Sequence, residues 1–122
     1  MRSLVMSLLN QEKCVACRRD SPHATQDEID QLLPQISDWS LVQEDGINKL
    51  DRAFRFADFQ TALDFTRLVG NLADEEGHHP RLTTEWGSVK VTWWTHKIRN
   101  IHRNDFVMAS KSDSIYTDLV KV

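Results

Sequence analysis

The spacing of apolar residues changes abruptly near Asp58, and this change constrains the fold of the 122-residue chain more than any other feature. Before it, alternate residues are apolar, as in a strand. After it, from residue 58 to about residue 76, the apolar side chains lie on one stripe of a helix: Phe59, Ala62, Phe65, Val69, Leu72 and Ala73. Gly77 provides a stop for this helix, and Pro80 keeps it from resuming. The sequence therefore predicts a central amphipathic helix that follows strands.

Two turn signals, one on each side of this helix, predict two β-hairpins. Asp45-Gly46 separates extended residues 39–43 from a strand whose one face carries Asn48, Leu50, Arg52, Phe54 and Phe56. That face is imperfect because two of its five residues are polar. Gly87-Ser88 separates residues 82–86 from a strand in which Val89, Val91 and Trp93 alternate with Lys90, Thr92 and Trp94.

Helices are also predicted near both ends of the chain. Thr25-Gln-Asp-Glu28 is a capping-box pattern, which predicts a first helix limited by Pro34. A last helix is predicted from about residue 105 to 116, with Asn104 or His102 as its cap. The order α-β-β-α-β-β-α predicts an α+β fold, with a four-stranded, largely antiparallel sheet and three helices on one face.

Residues 1–24 are predicted to be an N-terminal extension that precedes a single domain over residues 25–122. The extension contains a CxxC pair, Cys14 and Cys17. Such a pair is a redox dithiol, half of a zinc site that would also use His23, or two reduced thiols in an inert or disordered segment. Nothing before Cys14 is typical of the strand that precedes redox motifs, so the last interpretation is favoured. No metal site is predicted, and reduced thiols suit a reducing compartment.

Charge and hydropathy exclude two classes of partner. The formal net charge is -3 and the pI is about 5.9, without the dense lysine and arginine runs that bind nucleic-acid phosphates. The apolar stretch in residues 1–10 is too short to span a membrane and lacks a convincing cleavage site. We therefore expect a cytoplasmic protein that binds neither nucleic acid nor membrane.

Three histidines occupy positions from which they can meet in space. His78 and His79 follow the central helix, and His96 ends the last strand. Loops and strand ends are where a scaffold presents reactive groups, and imidazole exchanges protons near neutral pH. Taken alone, a His-His pair before proline is also a common structural feature of loops. A zinc hydrolase is disfavoured because the chain has no HExxH helix.

The spacing of seven residues resembles the signature of the pterin-4a-carbinolamine dehydratases. Three residues separate Asp74 from His78-His79-Pro80, and five separate Pro80 from Trp86. Nine residues then separate Trp86 from His96, and eight separate His96 from Asp105. The resemblance extends from about Thr25 to Tyr116. The segments Glu-Gly-His-His-Pro, Thr-Glu-Trp-Gly and Val-Thr-Trp-Trp-Thr-His, together with the CxxC, look like the bacterial branch that accompanies phenylalanine hydroxylase.

This resemblance implies an activity and its catalytic residues. The implied reaction is dehydration of 4a-hydroxytetrahydrobiopterin to quinonoid dihydropterin and water, which recycles the cofactor of aromatic amino-acid hydroxylases. By position, His78 and His96 match the general acid and base, and His79 matches a histidine that binds and orients the pterin. The pterin is the substrate, and no cofactor or metal is implied. The family also implies a homodimer or homotetramer.

Other residues near the histidines are candidates for substrate binding, namely Asp74, Pro80, Trp86, Trp94 and Thr95. Asp74 either holds a histidine in its charged form or is a solvated carboxylate at a helix end. The tryptophans either form an apolar wall for the pterin or pack in the core. Asp105 matches the signature, but its place at a helix start favours a capping role. His23 and His102 are predicted to be surface residues.

Two rival functions remain open from the sequence. Animal members of the family also stabilise dimers of a homeodomain transcription factor, so a non-catalytic binding module is the chief alternative. Distant relatives with altered signatures imply a role in molybdopterin metabolism. Retention of all three histidines favours the enzyme.

Overall fold

The structure is a computed structural model that describes residues 9–15, 19 and 21–121. Within these residues the chain forms three α-helices and four strands in the predicted order, namely α1 (Gln26–Leu32), β1 (Ser40–Glu44), β2 (Ile47–Arg55), α2 (Phe59–Glu76), β3 (Arg81–Glu85), β4 (Ser88–Trp93) and α3 (Arg103–Val120). Short 3₁₀ turns occupy Leu9–Gln11, Leu33–Ile36 and His96–Ile98. The predicted α+β fold is confirmed.

The four strands form one antiparallel sheet in the order β1-β2-β4-β3. Asp45 and Gly46 connect the first hairpin with φ values of 54° and 77°, the left-handed geometry that two-residue hairpin turns require. The second hairpin turns at Trp86 and Gly87, one residue earlier than predicted, because Glu85 pairs with Ser88. β4 therefore starts at Ser88, and Trp86 belongs to the turn.

The core lies between one face of the sheet and the helices. Because strand side chains alternate between faces, every second residue of β2 and β4 points to this core, and α2 and α3 cover it. Apart from Ile36, in the 3₁₀ turn after α1, the largest fully buried side chains come from these four elements and the segments beside them: Leu50, Phe54, Phe65, Val69, Val89, Val91, Trp93, Ile101, Phe106, Val107 and Met108. This packing places the end of α2 and the start of α3 beside the end of β4.

Arg52 lies on the core face of β2, and its partners explain why the predicted apolar face carries a charge. Its Nη1 atom donates to Oδ1 of Asp113 in α3 at 2.6 Å. The same carboxylate oxygen accepts from the indole nitrogen of Trp39 at 2.8 Å. The guanidinium also lies 4.2 Å from the centre of the Phe54 ring. A charge this close to the core is tolerated because it is paired and hydrogen-bonded.

The helix α2 matches its predicted extent to within one residue, whereas α3 differs from its predicted extent at both ends. Asp58 caps α2, where its Oδ1 accepts from the backbone N–H of Thr61 at 2.8 Å. Phe59, predicted on the buried stripe, is the first residue of the helix and is 43% exposed. α3 begins at Arg103 rather than 105 and continues to Val120, past the predicted end near residue 116. Of the two predicted caps, His102 is the residue used.

The described part of the N-terminal extension packs on the domain. Leu9 is buried, and Cys14 is half-buried. Cys17 lies outside the described residues, so the predicted CxxC pair and its chemistry stay a prediction, as does the domain boundary after residue 24. Among the helices that the structure describes, none has the length and hydropathy to cross a bilayer.

Candidate active site

The first histidine of the site is placed by the way α2 ends. Gly77 adopts a φ of 66°, in the left-handed region that favours glycine. The backbone N–H groups of Gly77 and His78 both donate to the carbonyl of Ala73. This cap turns the chain back toward the domain, and the side chain of His78 is only 8% exposed.

His78 is bonded to a buried carboxylate from another element. Its Nε2 lies 2.6 Å from Oδ1 of Asp105 in the first turn of α3. The other oxygen of Asp105 accepts from the hydroxyl of Thr95 at 2.7 Å and from the backbone N–H of His102 at 2.9 Å. The Asp105 carboxylate thus accepts these two bonds at one oxygen and contacts Nε2 of His78 with the other. With Nε2 in this contact, Nδ1 is the ring nitrogen of His78 that is available to a substrate.

The ring of His78 is also held on its face. It stacks on Trp93 with 5.7 Å between ring centres and 9° between the planes. Trp93 is fully buried, and its Nε1 donates to the hydroxyl of Ser112 at 3.2 Å. Stacking and the bond to Asp105 together fix both the position and the rotation of the imidazole.

His96 approaches from the other side of the sheet's end, in the 3₁₀ turn that follows β4. Its Nε2 donates to the backbone carbonyl of His79 at 3.3 Å, which joins the turn to the loop after α2. Its ring lies 4.3 Å from that of Trp94. The imidazole of His79 points to a different partner, with Nε2 3.0 Å from Oδ1 of Asp74 in an exposed pair. The three histidines therefore meet at one place.

A cleft of about 540 Å³ opens between these loops. Its size is within the range of small-molecule sites in proteins. The cleft is lined by Cys14, Val15, Glu76, Gly77, His78, His79, Thr95, His96 and Lys97. Over the part of the chain that the structure describes, no three histidine, cysteine, aspartate or glutamate side chains are grouped as metal ligands.

The sequence profile of one family, pterin 4 alpha carbinolamine dehydratase, matches residues 22–115. The chain belongs to this family. That range contains every histidine of the cleft and the buried carboxylate that holds one of them. The predicted recognition, a hydro-lyase of the pterin carbinolamine dehydratase family, is confirmed.

Two bacterial relatives and one solved structure agree with this assignment. A protein of Nitrosococcus oceani is 49% identical over 110 residues, which cover 90% of this chain and 97% of the relative. A protein of Saccharophagus degradans is 51% identical over 111 residues, which cover 91% and 98%. The names of both provisionally assign pterin-4-alpha-carbinolamine dehydratase. A crystal structure of a transcriptional coactivator/pterin dehydratase from Brucella melitensis superposes with a TM-score of 0.70 at 29% identity, covering 78% of this chain and 99% of the other.

The structure places some of the predicted site residues in the lining of the cleft and others next to that lining. His78, His79, Thr95 and His96 line the cleft. Thr95 is 2% exposed, and its hydroxyl donates a hydrogen bond to Asp105. Thr95 therefore orients the Asp105 carboxylate. Three predicted binding residues are adjacent to the lining: Asp74 bonds His79, Trp94 contacts His96, and Pro80 follows His79.

Trp86 is not brought to the cleft with the other predicted residues. It lies in the turn between β3 and β4 and is 73% exposed. It does not line the cleft in this chain. Its predicted contact with the substrate stays a prediction, although the signature contains it.

Four residues at or beside the site were given other roles from the sequence. Asp105 was expected mainly to cap a helix, and it both caps α3 and holds His78. His102 was expected at the surface, but it is the half-buried N-cap of α3, with Nδ1 accepting from the N–H of Asn104. Cys14 and Val15 were assigned to the extension, yet they line the cleft. Asp105 carried a signal in its position in the signature, and His102 carried one as a predicted cap of α3.

Proposed function

We propose that the chain dehydrates 4a-hydroxytetrahydrobiopterin to quinonoid dihydropterin and water at this cleft. The observation that carries the proposal is the buried pair of His78 and Asp105 in a cleft shared with two further histidines. The family name and the names of the relatives support the reaction class.

The reaction asks the protein for two proton transfers. The C4a–O bond breaks as the hydroxyl takes a proton and leaves as water. N5 then loses its proton as the C4a=N5 double bond forms. An imidazolium can supply the first proton and a neutral imidazole can accept the second. The proposed reaction needs no cofactor and no metal, since the pterin is the substrate.

We assign the two proton transfers to His78 and His96. In each ring Nε2 is occupied, by Asp105 in His78 and by the carbonyl of His79 in His96. Each ring therefore keeps Nδ1 for the substrate. His79, with its ring turned toward Asp74, is assigned to binding and orienting the pterin.

The physiological role proposed is recycling of the pterin cofactor of an aromatic amino-acid hydroxylase in the cytoplasm. The sequence likeness to the bacterial branch that accompanies phenylalanine hydroxylase supports this link. We also propose a homodimer or homotetramer. β1 and β3 are the edges of the sheet, and an edge strand can extend a sheet across a two-fold axis.

A binding module without catalysis is the second candidate function. The observation that favours it is the likeness to the Brucella melitensis protein, which is named a transcriptional coactivator as well as a pterin dehydratase. A partner role of this kind makes no use of a proton-exchanging atom in a cleft. The two functions are therefore separated by variants of the histidines that leave the fold intact.

The test uses purified protein and freshly generated 4a-hydroxytetrahydropterin, with dehydration followed by absorbance across pH. We expect wild type to accelerate the reaction over buffer. His78→Ala and His96→Ala should each lower kcat by about 10²-fold or more. His23→Ala, an exposed histidine outside the cleft, is the matched control and should leave the rate unchanged. Absence of acceleration by folded wild type would favour the binding module.

A further inference from the structure

The described N-terminal residues 9–15, here called the N-terminal strap, lie along α3. Leu9 is 3% exposed at its start. The side-chain Nδ2 of Asn10 donates to the hydroxyl of Ser114 at 2.8 Å. The backbone carbonyl of Asn10 accepts from Nζ of Lys111 at 2.9 Å. The strap is therefore attached to the middle of α3 by burial and by hydrogen bonds.

The other end of the strap is attached to the start of the same helix. Arg103 donates to both carboxylate oxygens of Glu12, at 3.0 and 2.7 Å. Asn104, which is 3% exposed, makes a reciprocal pair with the backbone of Val15. Its Oδ1 accepts from the N–H at 3.1 Å, and its Nδ2 donates to the carbonyl at 2.8 Å. A buried amide that satisfies both backbone groups of one residue fixes that residue in place.

This attachment brings the strap to the histidine cleft. The backbone N–H of Cys14 donates to Oε1 of Glu76 at 3.0 Å, in the last turn of α2 before His78. Cys14 and Val15 both line the cleft. The side chain of Val15 is 61% exposed, so it leaves apolar surface open toward whatever occupies the cleft.

We propose that Cys14 and Val15 form a wall of the pterin site and contact the bound substrate. This inference rests on the proposed function of the cleft. The proposed function assigns both proton transfers to histidines, and a flat ring that covers Val15 removes apolar surface from water. The strap therefore contributes to substrate binding, and its loss raises KM while kcat stays near that of wild type.

Two variants test the wall, one by removing contact surface and one by releasing the strap. Val15→Ala should raise KM about three- to tenfold. Asn104→Ala removes both hydrogen bonds to the backbone of Val15 and should raise KM by at least a similar factor. Ser114→Ala is the matched control, because it removes one strap bond at a place that does not line the cleft. Its KM should equal that of wild type.

The outcomes separate this inference from the function on which it rests. If wild type turns over and KM is unchanged in folded Val15→Ala, the wall is wrong and the proposed function stands. If folded wild type shows no turnover, the proposed function fails first. Should Asn104→Ala fail to fold, as judged by its thermal unfolding, Val15→Ala decides the question.

A second readout does not depend on turnover. The chain has two cysteines, so Cys17→Ser leaves Cys14 as the single thiol for alkylation by iodoacetamide. We expect dihydrobiopterin, used as a probe that resembles the product, to slow alkylation of Cys14 as it fills the cleft. An alkylation rate unchanged at a concentration of dihydrobiopterin that saturates the protein, as measured by calorimetry, would overturn the inference.

Discussion

The Nε2 atom of His78 lies 2.6 Å from Oδ1 of Asp105, and both side chains are buried. The two residues are 27 positions apart and come from different helices or helix ends. The same carboxylate also caps α3 through the backbone N–H of His102. One side chain thus connects the start of a helix to the orientation of a histidine in the cleft.

Asp105→Asn tests this connection. The amide group cannot accept every hydrogen bond that the carboxylate accepts, because one of its two polar atoms is a donor. We expect kcat to fall by about 10²-fold and the pH profile to change. We also expect the free energy of unfolding to drop by about 1–3 kcal/mol. Steady-state dehydration from pH 5 to 9, with thermal unfolding beside it, measures both.

Thr95→Val is the companion to that variant. It removes one hydrogen bond to Asp105 but keeps the charge and the contact with His78. If Asp105 had a purely structural role, Asp105→Asn would lower activity only as far as it lowers stability and would leave the pH profile unchanged. That result would contradict the role of Asp105 in positioning His78.

Asp74→Asn should have a much smaller effect on activity. The pair of Asp74 and His79 is exposed, with 81% and 61% of the two side chains accessible. Such pairs contribute little in water, so we expect kcat/KM to change by less than about fivefold. A loss as large as that of Asp105→Asn would show that the orientation of His79 limits the reaction.

Replacement of Gly70, inside α2, and of Gly77, its C-terminal cap, by alanine should change stability in opposite directions. Gly70 lies inside the helix with open space around it, so Gly70→Ala should raise the free energy of unfolding by about 0.5–1 kcal/mol. Gly77 has equal space but a φ of 66°, so Gly77→Ala should lower it by about 1–2 kcal/mol. Urea unfolding measures both. Because His78 follows Gly77, only the second variant should also reduce dehydration, and stabilisation by Gly77→Ala would contradict the cap.

Acid should remove the contribution of the cap at the other end of α2. The backbone N–H of Thr61 lowers the pKa of Asp58, because it donates a hydrogen bond to the carboxylate. A lowered pKa in the folded protein means that the ionised cap stabilises at neutral pH and is lost as pH falls below about 3.9, the ordinary aspartate pKa. We expect Asp58→Ala to be less stable than wild type at pH 7. The difference should shrink toward pH 3 in urea unfolding, and a constant difference would contradict this account.

Short-range patterns along the chain specified the helices and strands of this protein. Local signals act over a few residues, so the capping box at Thr25, the Asp45-Gly46 turn and the stop at Gly77 were predicted without the fold. The three histidines and the family were predicted from the signature. Sequence reasoning missed the exposure of Phe59 and the ends of α3, because apolar periodicity does not show how much of a helix the rest of the fold covers.

Long-range packing determined which groups share the cleft and what each ring nitrogen contacts. The partner of His78 is Asp105, which capping rules alone assigned to the backbone. The seating of Cys14 and Val15 depends on Asn104, which is 89 residues from Val15. Contacts across such separations have no period or spacing in the sequence. They exist because packing of α2 and α3 on one sheet brings three distant segments together at the end of β4.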